Sequence, residues 1–127
     1  MNSIQQDVTD YLAARGWDKL APADLAKSVM IEGAELLELF QWDNYTVSQI
    51  EKDKALKTKI EQEMADVMIY CTELAIRLGV DIETVMREKL EHNARKYPAE
   101  KMMQHKGEKT AESFYLQRKM EYRRKGK

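Results

Sequence analysis

Apolar positions recur at helical spacing along most of the first hundred residues. Ile4, Val8, Tyr11 and Leu12 fall at i, i+4, i+7 and i+8, one buried face of a helix over 3–15, with Asn2 or Ser3 as its cap and Gly16 as its stop. Pro22 suits a first helical turn, and a second helix is expected from about 22 to 42, with Leu25, Val29, Leu36, Leu37 and Phe40 on its apolar faces and Asp43-Asn44 ending it. Residues 44–59 are polar and lysine-rich and read as a connection holding a short helix. A strong helix resumes by about residue 58 and reaches Leu78, where Gly79 fits a left-handed cap. Asp81 caps a fourth helix with Ile82, Val85, Met86 and Leu90 on its apolar side, and Tyr97-Pro98 ends it. The stretch 108–124 has helical propensity but only Phe114, Tyr115, Leu116, Met120 and Tyr122 to bury, so it is either docked or frayed. The pattern predicts an all-α protein: a four-helix core over residues 1–98 and a basic helical extension over 99–127.

Composition narrows the class. A length of 127 residues suits one domain, and a chain this short often gains stability by self-association. Hydrophobic residues at 43% are too many for a disordered chain, and charged residues at 34% are too many for a membrane protein. Apolar runs stop at four or five residues, far below the ~20 that span a bilayer. The first residues, MNSIQQDVTDY, lack the basic-then-apolar pattern of a signal peptide. The single cysteine, Cys71, forms no internal disulfide and fits a small buried residue in a reducing, cytoplasmic setting. Charge is uneven: residues 1–98 carry 12 basic and 18 acidic side chains, and residues 99–127 carry 9 and 4. An acidic body argues against nucleic-acid binding and suits carboxylates gathered around a cation.

Two acidic motifs carry the chemistry. Glu32-Gly33-Ala34-Glu35 is E-x-x-E and Glu63-Met64-Ala65-Asp66 is E-x-x-D. Residues three apart share a helix face, so each motif sets two carboxylates side by side. If the two helices pack antiparallel, all four converge, an arrangement that is strongly unfavourable without a cation. Oxygen-only ligands suit Mg²⁺ or Mn²⁺ better than Zn²⁺. A single E-x-x-E is more often a solvated face. Here both motifs lie in the most apolar stretches of the chain, MIEGAELLELF and EMADVMIYC.

Two weaker clusters accompany them. Lys89, Asn93 and Lys96 lie at i, i+4 and i+7, one stripe able to hold phosphate oxygens. Trp42 lies seven residues after Glu35 and Tyr70 four after Asp66, the spacing of one helix face, and Trp17 precedes the second helix; such aromatics suit a nucleobase. Each aromatic alone is more often core. His92 and His105 are isolated and fit exposed or half-buried histidines rather than ligands. No P-loop, dinucleotide-binding or serine-hydrolase motif occurs.

In their order along the chain these residues resemble the MazG-like all-α nucleoside triphosphate pyrophosphohydrolases, and among them the small dCTP-pyrophosphatase-like members. The resemblance runs from Arg15-Gly16-Trp17 through Glu32-x-x-Glu35-Leu36-Leu37-Glu38-Leu39-Phe40-Gln41-Trp42 and Glu63-Met64-Ala65-Asp66-Val67-Met68-Ile69-Tyr70 to Lys89-Leu90-Glu91-His92-Asn93-Ala94-Arg95-Lys96-Tyr97-Pro98. It implies a homodimer or homotetramer and Mg²⁺-dependent hydrolysis of a (deoxy)nucleoside triphosphate to the monophosphate and pyrophosphate, a nucleotide-pool house-cleaning role. It further implies Glu32, Glu35, Glu63 and Asp66 as metal ligands, with Glu35 or Glu38 taking the proton of water. Lys89, Asn93 and Lys96 would meet phosphates, and Trp17, Trp42 and Tyr70 would line the base and sugar pocket. Members acting on dCTP tend to carry a histidine before the proline that opens the second helix; here the stretch is Trp17-Asp18-Lys19-Leu20-Ala21-Pro22, without it. Two rival readings are a non-enzymatic helical interaction module and the related phosphoribosyl-ATP pyrophosphohydrolase activity.

Overall fold

The computed structural model of the chain describes residues 3–104 and 110–126, with backbone alone for 110–114. Asn2 and His105 lie outside these residues. Seven helices and no strand occur among them: α1 Ser3–Ala13, α2 Pro22–Glu38, α3 Val47–Lys52, α4 Lys54–Leu78, α5 Ile82–Lys96, α6 Ala99–Gln104 and α7 Thr110–Arg124.

The chain folds as two compact units, Met1–Glu83 and Thr84–Lys127. In the first unit α4 is the central rod, and α1, α2 and α3 all pack on it, α2 most extensively. The α2–α4 pair is antiparallel. Arg77 donates to the carbonyl of Leu20, just before α2. Further along, Glu32 approaches Asp66, Glu35 approaches Glu63, and Leu37 shares a cavity wall with Ile60. Numbers rising along one helix thus meet numbers falling along the other.

Helix ends follow from local chemistry. Gly16 and Gly79 both take φ 67°, the left-handed region open to glycine. At each, the next residue donates back five positions, Trp17 to Leu12 at 3.0 Å and Val80 to Ala75 at 3.0 Å, so freed carbonyls are satisfied. Thr46 and Gln49 form a reciprocal capping box at α3. Asp53 caps α4 through Leu56 N at 3.0 Å, which starts that helix four residues before the expected 58. Gln5, 3% exposed, donates from Nε2 to Val80 O at 2.9 Å and accepts from Ile82 N at 3.0 Å, tying α1 to the turn after α4.

One helix end differs from the expected pattern. The second helix stops at Glu38, not 42, because the following amides turn to carbonyls three back: Phe40 N to Leu37 O at 2.9 Å and Gln41 N to Glu38 O at 3.4 Å. Phe40 then meets Tyr45 edge-on at 6.1 Å, and the chain reverses into α3.

In the second unit α7 docks on the C-terminal end of α5. Arg118 donates two bonds to the Lys96 carbonyl, at 3.1 and 2.8 Å. Tyr115 stacks at a tilt on Tyr97 at 5.2 Å, and Tyr122 meets His92 edge-on at 6.5 Å. This settles the choice left open by its few apolar residues: the extension is docked.

The first unit's core is small: Val8, Leu12, Leu25 and Ala75 are its buried apolar residues, and Leu25 is fully enclosed at 0% exposure. Leu25→Ala would leave a void at this enclosed position, and it should cost about 2–5 kcal/mol. Urea unfolding of both proteins checks this; a loss below about 1 kcal/mol would mean that Leu25 is not a core residue.

Candidate metal and nucleotide site

The antiparallel α2–α4 seam gathers the acidic motifs. One carboxylate oxygen each from Glu32, Glu63 and Asp66 lies within 4.8 Å of the others. Glu35 sits within hydrogen-bonding reach of both Glu32 and Glu63, and the Glu38 charge acts on Glu63. Glu32 and Glu63 are half-buried, while Glu35, Glu38 and Asp66 are exposed. The two motifs expected to converge therefore do so, with Glu38 at the margin.

Like charges in a partly desolvated seam disfavour ionisation. Burial raises the Glu32 pKa first, and Glu35, Asp66 and Glu63 raise it further. Burial likewise leads at Glu63, followed by Glu35, Asp66 and Glu38. Every neighbouring charge acting on either residue is another carboxylate. Glu63 Oε2 is buried with no hydrogen-bond partner. An orphaned carboxylate oxygen inside an oxygen-only donor cluster is what a hard divalent cation would satisfy, so the residues present fit a metal site.

Beside the carboxylates runs an aromatic groove. One cavity of about 540 Å³ is lined by Leu12, Gly16, Trp17, Lys19, Leu20, Tyr70 and Glu73. A neighbouring one shares Leu12, Trp17, Tyr70 and Glu73 and reaches Asp66. Trp17 is held there by the Gly16 turn and an edge-on contact with Tyr11 at 6.1 Å. Tyr70 sits half-buried one turn after Asp66; burial first, then the charges of Glu32, Glu73 and Asp66, raise its pKa. Trp17 and Tyr70 thus share a wall next to the acidic cluster. Trp42 does not join them: it lies past the end of α2, 85% exposed, so the two-turn spacing from Glu35 does not put it on the Glu35 face.

Glu73 escaped sequence reasoning. It is 3% exposed on α4, and its Oε1 has no hydrogen-bond partner. Its spacing was a usable signal, since it lies seven residues after Asp66 and three after Tyr70 in an apolar stretch.

The phosphate candidates lie on α5. Lys89 is exposed, and Asn93 and Lys96 are half-buried. Lys96 Nζ lies 5.0 Å from the Tyr122 ring and 5.3 Å from Tyr97, so aromatic faces already hold that ammonium. Cys71 is a half-buried free thiol, and His92 is half-buried.

Fold and site define an all-α protein with a carboxylate cluster at a helix seam that could hold a cation, and an aromatic groove beside it. Residues 27–112 match the MazG-like family, and the chain belongs to that family. It is 31% identical over 102 residues to dCTP pyrophosphatase 1 of Homo sapiens, covering 78% of this chain and 59% of the human protein. Against dCTP pyrophosphatase 1 of Bos taurus it is 30% identical over 101 residues, with 77% and 59% covered. The chain spans about three fifths of the length of these relatives. A crystal structure of a pyrophosphatase from Archaeoglobus fulgidus superposes with a TM-score of 0.63 at 36% identity, covering 75% of this chain and 89% of that one.

The raised carboxyl groups set a pH signature. Glu32 and Glu63 have folded pKa values above the ordinary 4.5. Their contribution to stability is present below that value and is lost as pH rises through the folded values. Metal-free protein should therefore melt at a lower temperature at pH 7.5 than at pH 5, and Mg²⁺ at pH 7.5 should restore part of the loss. Thermal melts at both pH values, with EDTA or with Mg²⁺, read this. A pH-independent melt that ignores Mg²⁺ would contradict a cation site.

Proposed function

We propose that the protein is a Mg²⁺-dependent pyrophosphohydrolase, with Mn²⁺ as substitute, that converts (deoxy)nucleoside triphosphates to monophosphate and pyrophosphate in the cytoplasm, clearing the nucleotide pool. The observation that carries this reading is the convergence of Glu32, Glu63 and Asp66, with Glu35 beside them, next to the Trp17–Tyr70 groove. The names of the relatives and family membership support it.

Glu32, Glu35, Glu63 and Asp66 would hold the cation. A divalent cation held there would supply charge neutralisation on phosphate oxygens and would acidify water. The protein's own work is positional. Glu35, exposed beside Glu32 and Glu63, or Glu38, exposed at the margin, takes the proton of the attacking water. Trp17 and Tyr70 flank the base and sugar and hold the nucleotide in line. Lys89, Asn93 and Lys96 keep their assignment as phosphate ligands, Lys96 after release from its aromatic contacts. Trp42 keeps its assignment to the base and sugar, from its exposed place past the end of α2.

The same reading includes a homodimer or homotetramer. Met30 at 73%, Ile31 at 58%, Leu37 at 66% and Met68 at 59% exposure leave the outer faces of α2 and α4 apolar in the single chain. A second copy packed there would cover them.

Asp66→Asn keeps the side chain's shape and removes one ligand charge. Pyrophosphate release with Mg²⁺ should fall a hundredfold or more, about 3 kcal/mol of barrier, while metal-free stability is equal to the parent or higher. The assay is a panel of NTPs and dNTPs with pyrophosphate readout, beside metal-free melts. Undiminished activity would remove Asp66 from the ligand set, and no turnover of any nucleotide by the parent would favour the interaction module.

A further inference from the structure

Glu73 lies deep in the aromatic groove, and nothing in the chemistry above uses it. It is 3% exposed, and its Oε1 is buried without a hydrogen-bond partner. A buried polar atom left unpaired costs free energy in the free protein, and such atoms are rare in folded chains. The residue lines both cavities of the groove, each time with Trp17 and Tyr70. The second cavity also touches Asp66, so a continuous path leads from the acidic cluster to Glu73. Asp66 and Glu73 are seven residues apart on one helix, about 10 Å at 1.5 Å per residue. A sugar between a phosphate at one end and a base at the other spans such a gap.

We propose that Glu73 reads the nucleobase, accepting a hydrogen bond from an exocyclic amino group and so selecting amino-bearing bases such as cytosine over the keto bases uracil and thymine. The inference rests on the pyrophosphohydrolase reading and adds a specificity determinant to it. A carboxylate is an acceptor only. An amino N–H on a base stacked between Trp17 and Tyr70 supplies the donor that Oε1 lacks. A keto oxygen in the same place sets two lone-pair-bearing atoms together with no proton between them. Discrimination of this kind, by a buried polar group left unpaired with the wrong ligand, is large.

The test compares the parent with E73Q and E73A. Pyrophosphate release from dCTP and dUTP is measured with Mg²⁺ at pH 8, and binding of dCMP and dUMP without metal is measured by calorimetry. The amide of E73Q can donate to a keto group, so the dCTP-to-dUTP ratio of kcat/KM should fall at least tenfold. The fall should come through a lower KM for dUTP, with kcat little changed. E73A should weaken dCMP binding more than dUMP binding. Melting temperatures show whether each variant is folded; E73Q should melt no lower than the parent at pH 8, because it removes a buried charge while keeping the side chain's shape. Ratios unchanged within twofold in both folded variants would overturn the inference and leave the hydrolase reading intact. If the parent hydrolyses no nucleotide, the hydrolase reading fails separately, and equal binding of dCMP and dUMP by the parent would then overturn this inference as well.

Discussion

Carboxylates repel one another, and the α2–α4 seam brings them together. Glu32, Glu63 and Asp66 converge, Glu35 bridges two of them, and Glu38 adds its field at the edge. Two charges a few ångströms apart in a partly desolvated site interact far more strongly than in water. The antiparallel packing that buries Leu25 between its neighbours also fixes this proximity, so the helix pair carries an electrostatic cost in the free protein. A bound cation would turn that cost into affinity. The groove of Trp17 and Tyr70 opens onto the same cluster, and its position depends on the same rod, α4, together with the glycine turn that ends α1.

Small size bears on everything else. Four buried apolar residues among those described make a thin core for the Met1–Glu83 unit, and much of the apolar surface of α2 and α4 faces outward. The fold therefore leans on local devices. Two glycine caps, a capping box at α3, the Asp53 cap and the two-handed Gln5 contact each fix one joint. The extension reinforces α5 through Arg118 and two aromatic rings, Tyr115 and Tyr122, rather than through an apolar stripe, which is why its sequence pattern looked weak.

Helices with a strong apolar period were legible from the residues alone, as were the glycine stops and the two acidic motifs. The i, i+3 spacing fixes which carboxylates share a face, and only antiparallel packing was needed to join them. The end of α2 was not legible. Leu39, Phe40 and Gln41 continue the apolar pattern, yet their amides tighten to carbonyls three back, and Trp42 leaves the helix face as a result. Glu73 was hidden for the opposite reason. A lone acidic residue in a long helix reads as surface until the packing of α1 and the Gly16 turn closes over it.

The claim at the centre of this account is that the seam carboxylates hold a divalent cation beside a nucleotide. The most direct measurement is a crystal structure with Mn²⁺ and a non-hydrolysable α,β-imido dCTP, read by manganese anomalous scattering. The account predicts an anomalous peak bonded to Glu32, Glu63 and Asp66, with the base between Trp17 and Tyr70. Nucleotide bound with manganese elsewhere, or with the three carboxylates bonded to no metal, would contradict it.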